Sequence, residues 1–512
     1  MGLDKNFPRQ PHKIIDPEIR WFPGSDNMGD KGRDKLLPPL VNKIRKDVCV
    51  WRNAGYPNIS EVTNSLLNYW FKTEHPNGFQ YYFAQRESVE TIIYLYEHEN
   101  IRNPSELLKY DSSGVLVESL FEETWLRLVI KQATGTGKTK VLSLLIAWCY
   151  FHKEFIKNSE LSKNFLLLAP NTIVLDRLKT DIEGLSVFNS DPVLPPNGYS
   201  GRSWSFYPKV HIQDNIGSLS KNGNIFLTNI QRFVTRNEEI NENSSIDYFL
   251  GDKPVTKTSD NKILVRDIVN NVEDIIVLND EAHHIHEKNL AWFKTIENIN
   301  NSLVQKGSKL PLQLDVTATP KDQKGNIFPH TVSDYPLVEA IAQEVVKTPI
   351  LPDEASRGKL EENISAKFSE RWRDFIDLGV TVWNQDYDNH KKLGKKALLF
   401  VMVDDTKNCD DVKQYLENNY PILKGGTFII HTNKEGHIDE SATSKSQKQL
   451  LELRKIANQV DRDDNNIKAV ISVLMLKEGW DVKNVTTVVG LRPFVAKSNI
   501  LLMGPTGCGK TL

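Results

Sequence analysis

Cysteine is scarce in this sequence: the 512 residues include four, at Cys49, Cys149, Cys409 and Cys508. No two of them stand in a C-x-x-C pair. The spacing argues against a zinc site and a disulfide framework, because both need cysteines at short, regular intervals or in pairs. Scattered thiols fit a reducing compartment, and we expect a cytoplasmic protein.

Long hydrophobic runs and internal repeats are also missing. No apolar stretch approaches the roughly 18 residues that a membrane span needs, so we expect no membrane association. The first residues, MGLDKNFPRQPHK, have neither an apolar segment nor a small-residue cleavage site. This composition argues against a secretory signal.

The chain has no excess of charge of one sign, since its net charge is −2. No global basic field therefore points to a nucleic-acid partner. The balance does not exclude such a partner, because basic groups along one cleft can be cancelled in the sum by acidic surface elsewhere.

The length predicts more than one domain, since a single hydrophobic core stops growing near roughly 250 to 300 residues. Two blocks, residues 78–349 and 395–497, alternate short apolar strands with helices. This alternation predicts an α/β fold with parallel sheets covered on both faces. We expect a mostly helical N-terminal extension over 1–77 and a linker over 350–394.

The expected strands end in polar or small residues, and ligands gather at the carboxyl ends of parallel strands. In the first block the expected strands are 126–130, 164–170, 224–229, 274–280 and 312–320. In the second block they are 397–403, 427–433, 469–475 and 486–493.

A glycine-rich turn follows the first expected strand and leads into an amphipathic helix. Gly135 and Gly137 permit the tight turn, and the first backbone N–H groups of the helix can cradle phosphates. Lys138 places a positive charge on the outer phosphates, and the Thr139 hydroxyl can ligate Mg²⁺. The pattern predicts a nucleotide-binding phosphate loop.

The strict phosphate-loop pattern has glycine where this chain has Gln132. The succession of strand, loop and helix offsets this departure, and we retain the prediction of a nucleotide site. The residues expected to bind the nucleotide here are Thr134, Gly135, Thr136, Gly137, Lys138 and Thr139.

A second apolar strand delivers two adjacent carboxylates in the sequence VLNDEAHHIHE. We expect Asp280 to hold Mg²⁺ through water and Glu281 to orient or deprotonate the attacking water. The nearby His283, His284 and His286 also suggest zinc, but their spacing is poor and no cysteine accompanies them.

A third motif, DVTATP at 315–320, ends the next expected strand. The hydroxyls of Thr317 and Thr319 can hydrogen-bond to His283 and so sense the state of the nucleotide. The motif alone is uninformative, and its place after the phosphate loop and the DEAH tetrapeptide makes it specific.

In this order, the motifs resemble those of superfamily-two helicases and translocases. They closely resemble those of the motor subunit of type III restriction enzymes and related DEAD/DEAH proteins. The resemblance covers nearly all of residues 10–497. Its further motifs lie at 83–97, 168–178, 227–233, 328–337 and 473–485.

The resemblance implies two RecA-like lobes with Mg-ATP between them and nucleic acid across their tops. It implies a DNA track, double-stranded by preference, and a DNA-methyltransferase modification subunit as a possible partner. Gln85 matches the adenine-reading glutamine of the family, and Gly479 and Asp481 match positions near the ribose and the interdomain cleft. The candidates for phosphate contacts, which could equally be local caps or turns, are Asn171, Thr172, Thr228 and Asn229.

The chain departs from the family at its end. The second lobe of the family closes with a Gln-x-x-Gly-Arg-x-x-Arg segment, which is missing here, so we expect an incomplete lobe and slow ATP hydrolysis. Residues 498–512 instead carry GPTGCGKT, a second phosphate-loop pattern similar to that of Clp-type unfoldase ATPases. We expect this tail to be a fusion, truncation or recombination junction.

Three functions are compatible with these patterns. The first is an ATP-dependent DNA helicase or translocase of restriction type, without the nuclease that full-length relatives carry. The second is an inactive fragment that only binds nucleotide or DNA. The third, a Clp-type ATPase, rests on the tail alone.

Overall fold

A computed structural model divides the chain into two compact units. The first comprises Met1–Ile246 and Thr258–Gln343, and the second comprises Asp247–Lys257 and Glu344–Leu512. Apart from a few isolated positions, the residues that the structure describes are 38–170, 172–212, 218–229, 272–282, 291–319, 327–343, 360–430, 465–473, 484–491 and 501–503.

The first unit is built on a seven-stranded sheet in the order β3-β4-β2-β5-β6-β1-β7. All the strand pairs in this sheet are parallel. The strands are β1 Arg127–Gln132, β2 Asn164–Ala169, β3 Lys209–Ile212, β4 Asn224–Asn229, β5 Ile276–Asp280, β6 Gln313–Thr317 and β7 Thr331–Tyr335.

The parallel register brings the carboxyl ends of the central strands to one edge of the sheet. Lys131 of β1 pairs with Thr317 of β6, and Asp280 of β5 pairs with Val316. The strands between these ends are buried on both faces, which explains their nearly continuous apolar sequences.

Helices cover both faces of this sheet. Those before and after the phosphate loop pack with the strands into one hydrophobic core, which includes Trp70, Trp148 and Phe165. The helices of the unit are α1 Val41–Asn53, α2 Glu61–Lys72, α3 Phe83–Ile93, α4 Lys138–Phe155, α5 Thr172–Ile182, α6 Ser186–Ser190, α7 Ala291–Gln305 and α8 Leu337–Ala342.

Helices α1 and α2 belong to the segment expected as a mostly helical N-terminal extension. Ser60 caps α2 by accepting a hydrogen bond from the Thr63 N–H, at 3.2 Å. Trp51 and Trp70 are buried in the same core as the first sheet. Residues 38–77 therefore pack as part of the first unit, while 1–37 lie outside the described residues.

The segment from Gly184 to Lys221 is rich in Ser, Asn, Gly and Pro, yet it contributes both a strand and core residues. Trp204 and Phe206 are buried and pack on Phe151 of α4, with ring centroids 5.0 and 6.0 Å away. Its polar composition hid these aromatic anchors because they occur singly among Ser, Gly and Pro.

The second unit carries a five-stranded sheet in the order β12-β11-β8-β10-β9. Its pairs are parallel except for the edge pair of β11 and β12. The strands are β8 Leu398–Met402, β9 Thr427–Ile430, β10 Ala469–Ser472, β11 Val485–Gly490 and β12 Leu501–Met503. The α/β class with two parallel sheets is confirmed.

Three helices accompany this second sheet: α9 Phe368–Arg371, α10 Arg373–Lys392 and α11 Thr406–Asn419. Trp372, Phe375 and Trp383 pack with the strands into a common core. The helix expected as a linker therefore supplies core residues to the second unit.

Strand β12 belongs to residues 498–512, the tail expected to be a fusion, truncation or recombination junction. Its backbone pairs with β11 in antiparallel register, with Val488 opposite Leu502. The second phosphate-loop pattern, Gly504–Thr511, lies outside the described residues. Within the described ranges, no helix combines the length and the hydrophobicity that crossing a bilayer requires.

Candidate nucleotide site

The phosphate loop lies between β1 and α4, as the sequence predicts. Gly135 and Gly137 have φ angles of 82° and 85°, which side-chain-bearing residues rarely adopt. Gly137 stands at the N-cap of α4 and offers no side-chain cap to the first amides of the helix. These amides and the positive end of the helix dipole suit an anion.

Lys138, the first residue of α4, reaches the end of β5. Its Nζ lies 3.1 Å from Oε1 of Glu281, and the two side chains are 7% and 3% exposed. The phosphate loop and the acidic strand end therefore meet through a buried ion pair. Thr139 follows on α4 and is half-buried.

Glu281 has an unusual backbone conformation for a residue with a side chain. Its φ is 54°, in the left-handed region, and its side chain is buried. Its N–H donates to Oδ1 of Asp280, at 3.1 Å. Such strain is found most often at functional sites, where the surrounding structure fixes one geometry.

Asp280 is held by two groups. Its Oδ1 accepts the Glu281 N–H, and its Oδ2 accepts a hydrogen bond from Nη2 of Arg177 on α5. Burial raises the pKa of Asp280 above its ordinary value, Arg177 and Lys138 oppose the rise, and the charge on Glu281 adds to it. The carboxylate thus lies among charges of both signs.

Gln85 is fully engaged by the protein. Its Oε1 accepts the Tyr82 N–H at 3.0 Å, and its Nε2 donates to the Thr136 carbonyl oxygen at 2.9 Å. A Cβ added at Gly137 would lie 2.3 Å from this Nε2. The side chain predicted to read adenine is therefore also packed directly against the phosphate loop.

Gln132 replaces the first glycine of the strict pattern and has a structural place. Its side chain is fully buried, and its Nε2 lies 3.2 Å from the Ser88 Oγ and 3.4 Å from the Ala84 carbonyl oxygen. The side chain ties the end of β1 to α3. Thr134, the next loop residue with a hydroxyl, has a buried Oγ1 with no hydrogen-bond partner among the described residues.

The third motif lies next to the site. Thr317 ends β6, is buried, and its Oγ1 accepts the Thr319 N–H at 3.1 Å, whereas Thr319 is exposed. The hydrogen bonds expected between these threonines and His283 cannot be described, because His283 lies outside the described residues.

The predicted nucleic-acid contacts are described only in part. Thr228 and Asn229 end β4 at the same sheet edge, and both side chains are buried. Thr172 begins α5, without a described side chain, and its hydroxyl contacts remain a prediction. Asn171 lies outside the described residues, as do Gly479 and Asp481 of the second unit.

A buried polar network behind the site was not expected from the sequence. Asn279, next to Asp280, donates to Oδ1 of Asp315 at 2.6 Å, and Asp315 pairs with Arg127 at 2.7 Å. Arg127 also pairs with Glu123, at 2.6 Å. The sequence does contain a sign of this network, because charged and amide residues occur inside apolar strands. Their partners lie on other strands, so the sequence does not show which residues pair.

Residues 83–322 match one family in particular, described as the type III restriction enzyme, res subunit. The resemblance inferred from the sequence is thereby confirmed. No curated protein matches the chain.

Two solved structures are similar to the chain at 14% identity. One is a fragment of an HsdR subunit of a type I restriction enzyme from Vibrio vulnificus YJ016, with a TM-score of 0.38, covering 87% of this chain and 63% of that one. The other is the yeast DEAD-box splicing factor Prp28, with a TM-score of 0.21, covering 79% and 73%. The chain thus spans 63% of the length of the HsdR fragment.

Proposed function

We propose that this chain binds Mg-ATP at the loop from Thr134 to Thr139 and hydrolyses it to drive movement on DNA. The observation that carries this proposal is the buried contact between Lys138 and Glu281, 3.1 Å long. It brings a phosphate-binding lysine and a candidate general base to one point at the carboxyl edge of the sheet.

The residues present fit a magnesium nucleotide. Lys138 is buried and charged. It is placed to release Glu281 and to bind the outer phosphates of the nucleotide instead. Asp280 and the Thr139 hydroxyl are the oxygen donors that would hold Mg²⁺. Bound Mg²⁺ would neutralise charge on the phosphate oxygens during transfer. We propose that Gln85 contacts the adenine while holding the loop.

Glu281 is the candidate general base. Freed from Lys138, its carboxylate can accept a proton from the attacking water, with the backbone at φ 54° fixing its direction. Arg177 and Lys138 supply positive charge beside Asp280, which opposes the rise in the pKa of its carboxyl that burial causes. Two adjacent carboxylates thereby serve different roles.

The proposed coupling of ATP hydrolysis to DNA depends on residues at the ends of the strands that neighbour the nucleotide site. We propose that Asn171, Thr172, Thr228 and Asn229 contact or support the contacts to backbone phosphates, and that His283, Thr317 and Thr319 report the state of the nucleotide. We propose that Gly479 and Asp481 also bind the nucleotide. A DNA-methyltransferase subunit is the proposed partner.

The test is steady-state ATP hydrolysis by the wild type and by Glu281→Gln, without nucleic acid and with duplex DNA, single-stranded DNA or RNA. We expect duplex DNA to stimulate the wild type. The variant should still bind nucleotide, but its turnover should fall by about 10² to 10⁴, the usual contribution of a general base.

A matched control is Glu154→Gln, which removes a carboxylate that is 43% exposed at the far end of α4. Its turnover should equal that of the wild type. Unchanged turnover in Glu281→Gln would contradict the assigned base. Turnover that no nucleic acid alters would contradict the motor, and nucleotide binding without any turnover would favour a fragment that only binds nucleotide.

A further inference from the structure

Arg177 is the charged group on α5 that contacts the nucleotide site. Its Nη2 donates to Oδ2 of Asp280, whose other oxygen already accepts the Glu281 N–H. The Arg177 side chain is 26% exposed and the Asp280 side chain 1%. A partly exposed cation thus pairs with a buried anion.

The position of Arg177 in the fold connects two functions. Helix α5 begins at Thr172, directly after β2, and β2 pairs with β5 so that Leu168 lies opposite Asn279. Thr172 is a proposed contact to nucleic acid, and Asp280 is the proposed carboxylate for Mg²⁺. Arg177 therefore connects the helix that carries the proposed nucleic-acid contact to the carboxylate that is proposed to hold Mg²⁺.

Arg177 and Mg²⁺ are both positively charged, and this determines how they affect each other at Asp280. Oδ2 of Asp280 accepts a hydrogen bond from Arg177, and Asp280 is also the carboxylate that would hold Mg²⁺. Two cations cannot share that acceptor without mutual repulsion, which is strong at a buried position. An arginine at this place competes with the metal, and a shift of α5 changes the competition.

We infer that Arg177 is a positioning residue that occupies Asp280 in the absence of nucleotide and yields it when Mg-nucleotide binds, so that nucleic acid contacting α5 tunes the affinity for Mg²⁺. The inference rests on the proposed function of the site. It adds a coupling that the phosphate loop and the DEAH motif do not contain.

The experiment measures the Mg²⁺ midpoint for binding of a non-hydrolysable ATP analogue, with and without duplex DNA, in the wild type and in Arg177→Gln. Without DNA, the midpoint of Arg177→Gln should be about three- to tenfold lower than that of the wild type. This range reflects a partly exposed ion pair. DNA should lower the wild-type midpoint and leave that of the variant unchanged.

Lys179→Gln is the matched control on the same helix, since Lys179 is 43% exposed and pairs only at the surface with Glu183, at 3.8 Å. Its midpoint should follow the wild type in both conditions. Arg177→Lys keeps the charge but loses the planar fork, so its midpoint should move in the same direction as that of Arg177→Gln but less. This variant also serves if Arg177→Gln does not fold.

A midpoint in Arg177→Gln or Arg177→Lys that equals or exceeds that of the wild type would overturn the inference. So would an equal response of wild type and variant to DNA. Failure of the proposed function can be distinguished from failure of this inference, because the wild type would then bind no Mg-nucleotide at any Mg²⁺ concentration.

Discussion

At the scale of the residue, the site depends on contacts that place each group rather than on the motif letters alone. Gln85 and Gly137 illustrate this, because the glutamine amide fills the space that any Cβ at Gly137 would need. The loop geometry therefore depends on a glycine for two reasons, its φ of 85° and this close approach.

Replacing Gly137 with alanine should cost more than the same change at a glycine with similar φ and open surroundings. Gly114, with φ 70° and nothing within 4 Å of an added Cβ, is that control. Both variants carry the strain of alanine at positive φ, about 1 to 2 kcal/mol. Only Gly137→Ala also displaces Gln85 from its two hydrogen bonds, at about 1 to 3 kcal/mol more.

Urea unfolding of the two variants measures the difference in the free energy of unfolding. Adding Gln85→Ala to both should remove the difference, because the displaced side chain is then absent. Equal losses for Gly137→Ala and Gly114→Ala in the presence of Gln85 would contradict the packing described here.

The motif residues could be predicted from the sequence, but their partners could not. Lys138, Asp280 and Glu281 stand out because their spacing follows a strand and a turn. Arg177 lies in the motif at 168–178 but does not stand out in the sequence, because its role depends on the end of a strand about a hundred residues away.

At the scale of the element, the long apolar strands were predictable and the short polar ones were not. The strand predicted at 224–229 has those bounds in the structure. Strand β7, TVSDY, was missed because it has no apolar run, yet it is buried throughout. Its polar side chains find partners across the packing, as Ser333 does with Ser88 at 3.1 Å.

Asp334 of β7 gives a prediction for the dependence of stability on pH. Burial raises its pKa to about 6 from 3.8, opposed by Lys131 on β1, while Glu339 on α8 adds to the rise and Arg45 on α1 opposes it. The folded state thus binds the proton more tightly than the unfolded chain. Its stabilising effect is full below about pH 4 and is lost as the pH rises to about 6.

Asp334→Asn should remove this part of the pH dependence. Between pH 4 and 6 the free energy of unfolding of the wild type should fall by about 1 to 3 kcal/mol relative to the variant. Glu160→Gln, which removes a carboxylate that is 58% exposed, is the control. Parallel curves for wild type and Asp334→Asn from urea unfolding would contradict the raised pKa.

At the scale of the whole molecule, the order of motifs predicted the resemblance, and the phosphate loop, the DEAH tetrapeptide and the third motif follow the carboxyl ends of different strands of one parallel sheet. The match to the restriction res family over 83–322 follows the same part of the chain. The second unit was predictable as a second parallel sheet, since its strands are apolar and regularly spaced. The packing of the 368–392 helices in its core was not, because an amphipathic helix between two blocks fits a linker equally well.

The central claim is that the chain has a nucleotide site built on Lys138, and calorimetric titration of a non-hydrolysable ATP analogue with Mg²⁺ tests it most directly. We compare the wild type, Lys138→Ala and, as control, Lys153→Ala near the far end of α4, where Lys153 pairs with Asp274 at 2.8 Å. Thermal unfolding of each protein confirms that it is folded.

The account predicts that the wild type and Lys153→Ala bind the analogue with equal affinity. Lys138→Ala should lose about 100-fold or more of that affinity, since a buried charge-assisted contact to phosphate disappears. Affinity retained by a folded Lys138→Ala protein would contradict the assignment of the site.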